Sequence, residues 1–163
     1  MAAEVDREFV AFMERWSVPS LRGALALVYI WFGYLKLIGR SPISGVIEDA
    51  YPMMPYPAFH YVLGAWEVAV GAGLAAPLLP LSKKRSDVLT RLTLGAFWLQ
   101  LAGTMAPAVL APKRVFKGRP DLLTVTGEFI AKNAVLAAAG LVIGSTVRRG
   151  SLGRQRASAF ADL

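Results

Sequence analysis

Cysteine is absent from all 163 residues, and histidine occurs once, at His60. Without thiols the chain itself makes no disulfide, thiolate metal site, iron–sulfur cluster or cysteine nucleophile. A single histidine rules out a haem held by two histidines of one copy, so neither metal nor haem is expected from this chain alone. Charged residues amount to only 18%, and nearly all the basic ones lie between apolar stretches rather than within them. Lys and Arg number 18 against 11 Asp and Glu, a net charge of +7. Spaced in that way, the excess marks membrane topology and not a nucleic-acid footprint. What the chain has in quantity is apolar surface: 55% of its residues are apolar and the mean hydropathy is positive. Lipid is therefore the expected solvent.

A helix that crosses a hydrocarbon core of about 30 Å needs roughly 20 mainly apolar residues. Stretches of that kind fall near 20–39, 58–79, 88–110 and 124–146, separated by Pro, Gly or charge. The expected fold is all-α, an integral membrane four-helix bundle preceded by an amphipathic N-terminal helix. Basic residues in the short flanks set the orientation. Eleven fall on one side: Arg7, Arg15, Arg22, Lys83, Lys84, Arg85, Arg91, Arg148, Arg149, Arg154 and Arg156. Six fall on the other: Lys36, Arg40, Lys113, Arg114, Lys117 and Arg119. That asymmetry puts both termini inside, and a bacterial plasma membrane is the default location.

Residues 1–19 carry acids and bases without an apolar core, so they do not read as a cleavable signal and are expected to stay on the chain. Val5, Phe9, Phe12 and Trp16 form one stripe of a short helix that Pro19 is expected to break. Its acidic balance leaves two readings open, the membrane surface or a protein partner. The tail, 147–163, carries four arginines in 148–156 and reads as a topology signal in water. Between the first two spans, 40–57 holds four prolines. Ser41 is expected to cap a short helix from Pro42 through Ile47, followed by extended backbone at Pro52, Pro55 and Pro57. This segment reads either as a lid over a site at the outer end of the bundle or as an ordinary interfacial connector.

Polar residues within the spans carry the most information, because a charge there costs at least about 2.5 kcal/mol unless paired or wet. Arg22, Ala26, Tyr29, Gly33 and Lys36 repeat as one heptad seam on the first span. His60, Gly64, Glu67 and Gly71 share a face of the second, with glycines that permit close approach. Gln100, Thr104 and Pro107 line up on the third, and Glu128 and Lys132 stand at i,i+4 on the fourth beside Asn133. At about 1.5 Å per residue, Lys36 lies roughly 24 Å from the inner end of its helix and Glu67 roughly 14 Å from the outer end of the next. Gln100, Glu128, Lys132 and Asn133 reach the same outer layer. Trp31, Trp66 and Trp98 occupy similar levels and would wall it.

Two readings follow. In one, Glu67 and Glu128 pair with Lys36 and Lys132 in a purely structural network. In the other, the cluster binds the polar head of a quinone-like ligand, with His60 relaying protons to water.

Taken together, the run WFGYLKLIG (Trp31 to Gly39), the run GAWEVAVGAGL (Gly64 to Leu74) and the run GEFIAKNAVL (Gly127 to Leu136), with the Arg22 opening, resemble the DoxX-like superfamily of four-helix membrane proteins. The matching branch has W-x-G-x-x-K closing its first span, here Trp31, Gly33 and Lys36. It has G-x-x-E-x-x-x-G in the second, here Gly64, Glu67 and Gly71, and G-x-x-x-x-K-[DN] in the fourth, here Gly127, Lys132 and Asn133. The resemblance covers roughly 20–146 and implies a compact bundle with a role near respiratory or oxidative-stress chemistry. One member type is a subunit of a thiosulfate:quinone oxidoreductase. Asn133 stands where an aspartate is common, which weakens proton transfer at that position. The implied cofactor is a quinone, and the implied partner a protein carrying the electron cofactor, or a second copy of the chain. A non-enzymatic anchor or assembly subunit is the alternative.

Overall fold

The computed structural model describes the backbone of residues 2–161 and the side chains of residues 4–147. The chain runs as α1 (Ala2–Leu37), α2 (Ser44–Ala50), α3 (Ala58–Ala75), a 3₁₀ turn (Ala76–Leu78), α4 (Lys83–Met105), α5 (Pro107–Leu110), α6 (Pro112–Val115), α7 (Val125–Ala131) and α8 (Asn133–Ala161). No strand occurs among the described residues. Four segments are long and apolar enough to cross a membrane: Glu4–Leu37, Ala58–Leu78, Lys83–Leu110 and Val125–Val147. They coincide with the four stretches expected from the sequence, apart from the ends. The arginines at 148–156 lie outside the described side chains.

The first segment differs from expectation. Pro19 sits inside α1 and does not end it, so 1–19 is not a separate helix. A proline forfeits a single N–H bond, and the helix formers Leu21, Arg22, Ala24, Leu25 and Ala26 immediately resume the ladder. Described residues 4–17 of this helix are all exposed.

α1 and α3 are the most intimately packed pair, and glycine is the reason. A Cβ on Gly33 would stand 2.6 Å from the Gly64 carbonyl oxygen, and one on Gly64 would stand 2.8 Å from that of Gly33. Backbones that close require both seams to be free of side chains at the crossing. Two turns further along each helix the pattern repeats, with Gly71 set against the Ala26 carbonyl and Ile30. The core below this crossing is Leu25, Ala26, Tyr29, Val70, Leu74, Leu94, Phe97, Leu101, Ala139 and Ile143, with Phe97 and Ile143 wholly sequestered. Gly140 lets Phe97 and Trp98 reach α8, and Gly73 seats against Thr93, so both glycines serve internal packing. Outward faces are apolar: Leu27, Leu92, Leu99, Val135 and Leu141 are each more than 60% exposed. Polar side chains turn inward instead, with Arg22, Lys36, His60, Glu67, Thr90, Thr93 and Asn133 all buried.

The 40–57 segment folds over one end of the bundle. Its helix begins at Ser44, two residues later than the Pro42 start read from the sequence, and Ser41 offers its carbonyl and not its hydroxyl. The Ser44 hydroxyl donates to that carbonyl at 2.9 Å. Three contacts tie the segment down. Ser44 Oγ and His60 Nε2 lie 3.1 Å apart. Arg114 pairs with Asp49 across to the 111–124 connection. The Tyr51 hydroxyl donates to the Gly103 carbonyl at 2.9 Å.

The last contact is dictated by Pro107. Lacking an N–H, it cannot bond the Gly103 carbonyl four residues back, so α4 stops at Met105 and that oxygen, which accepts from the Ala106 N–H at 3.2 Å, keeps room for the Tyr51 hydroxyl. Burial pushes the Tyr51 phenol above its usual pKa, which keeps it a donor. Tyr51→Phe is expected to destabilise the lid by about 1 kcal/mol and to speed limited proteolysis within 40–57. Asp49→Ala, which removes half of an exposed pair, is expected to change the cleavage rate far less.

Candidate functional site

Lys36 and Glu67 emerge from the two glycine-lined seams at the level of the crossing. With no side chain at Gly33 or Gly64 to hold α1 and α3 apart, the ammonium and the carboxylate meet. Lys36 Nζ donates to Glu67 Oε2 at 2.6 Å, with the two side chains only 3% and 11% exposed. From α4, Gln100 Nε2 donates to the other oxygen, Oε1, also at 2.6 Å. Both carboxylate oxygens therefore accept a short bond from a different helix, and a buried carboxylate is stable in that setting only with such partners.

This chain of three groups lies in the wall of a cavity of about 750 Å³. All four membrane-length segments line it, as does the lid. α1 gives Val28, Tyr29, Phe32 and Lys36; α3 gives Phe59, Leu63, Trp66 and Glu67; α4 gives Leu99, Gln100, Gly103 and Thr104. Thr126, Phe129, Ile130, Lys132, Asn133 and Leu136 form the opposite wall, and Ile43, Val46, Ile47, Tyr51 and Met54 close it from the lid. Trp66 is fixed by its indole N–H, which donates to the Ala96 carbonyl at 3.2 Å. Phe32 and Phe129 meet edge to face, 5.4 Å between centroids, where α1 approaches α7.

Of the residues singled out in the sequence, Lys36, Glu67 and Gln100 are joined directly. Trp66, Lys132 and Asn133 line the same cavity. Asn133 is 8% exposed, and its Nδ2 has no hydrogen-bond partner. The remaining four are elsewhere. Trp31 is 57% exposed and Trp98 is 37% exposed, both outside the lining. His60 is buried behind the lid, held by Ser44 and edge-on to Tyr56, so it latches the lid and does not face water.

Glu128 is exposed and off the cavity, and the expected Glu128–Lys132 ion pair does not form among the described residues. The backbone runs on there, with the Lys132 N–H donating to the Glu128 carbonyl at 3.1 Å as α7 (to Ala131) passes into α8 (from Asn133), and it is the side chains that do not pair: Lys132 lines the cavity and Glu128 does not. The four-charge network read from the sequence is thus one pair, Lys36 with Glu67.

The sequence reading left out the lid side chains and the Tyr29 and Phe32 wall. Ile43, Val46, Ile47 and Ala50 are spaced 3, 1 and 3, an apolar helical stripe that was available as a signal. A second buried polar contact lies towards the opposite end, where Arg22 Nη2 donates to Thr90 Oγ1 at 3.4 Å. Among the described residues no group of three or more His, Asp and Glu could hold a metal ion.

Compared with protein-family models, with curated proteins and with solved structures, the chain matches none.

Proposed function

We propose that the chain is a four-span integral membrane protein of the DoxX-like kind whose cavity binds a small amphipathic, quinone-like ligand. It would work in redox or oxidative-stress chemistry beside a partner that carries the electron cofactor. Both termini would lie on the cytoplasmic side of a bacterial plasma membrane. Insertion is supported by the inside-out distribution of the side chains, polar residues buried and large apolar ones exposed along all four segments.

Ligand binding is supported by one observation above the rest. An apolar cavity of about 750 Å³, within the range of small-molecule sites, carries a single buried ionic chain, Lys36–Glu67–Gln100, and is closed by a lid. In such a site the lysine ammonium can donate to a carbonyl oxygen and the carboxylate can take up a proton. Trp66 and Phe32 offer flat surfaces for a ring.

A second reading has its own support. Both Glu67 oxygens already have partners within the chain, as a self-contained structural lock in an anchor or assembly subunit would require. Mass spectrometry of the lipids and quinones that co-purify with the wild type and with Glu67→Gln separates the two. About one quinone-like molecule per wild-type chain, absent from a folded Glu67→Gln, is the expected result. Bulk phospholipid alone in both preparations would remove the ligand reading and leave the structural lock.

A further inference from the structure

Four buried side-chain atoms have no hydrogen-bond partner among the described residues: Arg22 Nη1, His60 Nδ1, Gln100 Oε1 and Asn133 Nδ2. Arg22 and His60 do not line the cavity, whereas Gln100 and Asn133 do, on α4 and at the start of α8. Burying a polar atom without a partner is costly, so a pair of them on residues that line opposite walls of one cavity points to a group between them that completes both. Their chemistry differs. The Gln100 amide is oriented by Glu67, because a carboxylate oxygen accepts and only the NH₂ end can donate to it. The orphan at Gln100 is consequently an acceptor, and the one at Asn133 is a donor.

We infer that the ligand head group bears a hydroxyl, an O–H that donates to Gln100 Oε1, and presents an oxygen that accepts from Asn133 Nδ2. The inference rests on the amphipathic-ligand reading and narrows it. A head group with carbonyl oxygens alone would serve Asn133 and Lys36 but would leave Gln100 Oε1 facing a second acceptor. A phenol or alcohol serves both, since one hydroxyl is donor and acceptor at once. Both free atoms are sealed as the side chains stand, and reaching a head group requires each amide to turn about its terminal torsion, which is broad for Gln and Asn. The rest of the lining suits a ring with an apolar tail: Val28, Phe32, Leu63, Leu99 and Leu136 offer no hydrogen bond.

The probes are para-dodecylphenol and its methyl ether, which share the ring, the tail and an acceptor oxygen on the ring and differ in the O–H donor. Affinities are measured by isothermal titration in detergent with the full chain, its Gln100→Met variant and its Asn133→Leu variant. The wild type is expected to bind the phenol roughly tenfold or more tightly than the ether. Gln100→Met is expected to close that gap, and Asn133→Leu to weaken both probes while keeping it.

Equal binding of the two probes by the wild type would overturn the hydroxyl assignment and leave the amphipathic-ligand reading standing. Binding of neither would overturn the ligand reading itself. If Gln100→Met does not fold, Asn133→Leu still decides, because unchanged affinities in that variant would show that the orphaned amides serve ordered water and not a head group.

Discussion

Replacing Lys36 by methionine is expected to lower the unfolding free energy in detergent by about 3–5 kcal/mol, the usual effect of stranding one member of a buried ion pair. Its partner is 11% exposed at the side chain and lies beneath the lid, so Glu67 would keep only the Gln100 amide as a donor. Removing both charges is a different operation. In Lys36→Met/Glu67→Leu no ion is left to desolvate, and the double variant is expected to recover most of the lost stability, with a coupling energy of roughly 2 kcal/mol or more. Equilibrium unfolding of wild type, the two singles and the double gives the cycle directly. A Lys36→Met protein as stable as the wild type would mean that Glu67 is not held as a paired carboxylate at all. Stability and ligand retention are then separable readouts, because the double variant can be folded and yet empty.

Gly64→Val is expected to be at least as damaging, through geometry and not charge. The first added carbon would stand 2.8 Å from the Gly33 carbonyl oxygen and 2.9 Å from Lys36 Cβ, so α1 has to move away from α3. Overpacking of that kind costs about 1–3 kcal/mol by itself, and the displacement also pulls Lys36 from Glu67. The expected outcome is loss of a monodisperse species after extraction, read by size-exclusion chromatography and thermal unfolding. Gly23→Ala and Gly95→Ala are the controls. A Cβ at either position meets nothing within 4 Å. Alanine in a helix interior is favoured over glycine by up to about 1 kcal/mol, so both should be neutral or slightly stabilising. A tolerated Gly64→Val would show that the two helices are not in backbone contact.

The parts of the site that were legible in the sequence are those where burial is most expensive. Arg22, Tyr29, Gly33 and Lys36 on one helix, and His60, Gly64, Glu67 and Gly71 on the other, announce an inward face because charge and glycine are both costly facing lipid. The structure buries all of them. Trp31 and Trp98 gave no such signal: an indole is as much at home on an outer face as in a core, so spacing alone placed them wrongly. Glu128 misled for a related reason. Its carbonyl is bonded to the Lys132 N–H as an i,i+4 neighbour's should be, yet the lysine lines the cavity and the glutamate does not, a choice of side-chain direction that spacing does not encode. Proline was ambiguous in the same way. Pro19 is absorbed within α1 while α4 stops just before Pro107, and the residue type alone does not separate the two cases. The 40–57 segment reads from the sequence as either a lid or a connector, and its hold on the bundle is not legible there, since the Gly103 oxygen that receives Tyr51 is main chain and has no letter in the sequence.

The backbone contact between Gly33 and Gly64 has a mechanical consequence. Two helices joined carbonyl to Cα cannot slide or rock against each other without collision, so α1 and α3 behave as one stiff post. Any breathing of the cavity must therefore come from the far wall, where the seam with α1 is closed by a pair of phenyl rings, Phe32 against Phe129. Lys36 and Glu67 both ride on that post, so the spacing of ammonium and carboxylate is fixed whatever the opposite wall does.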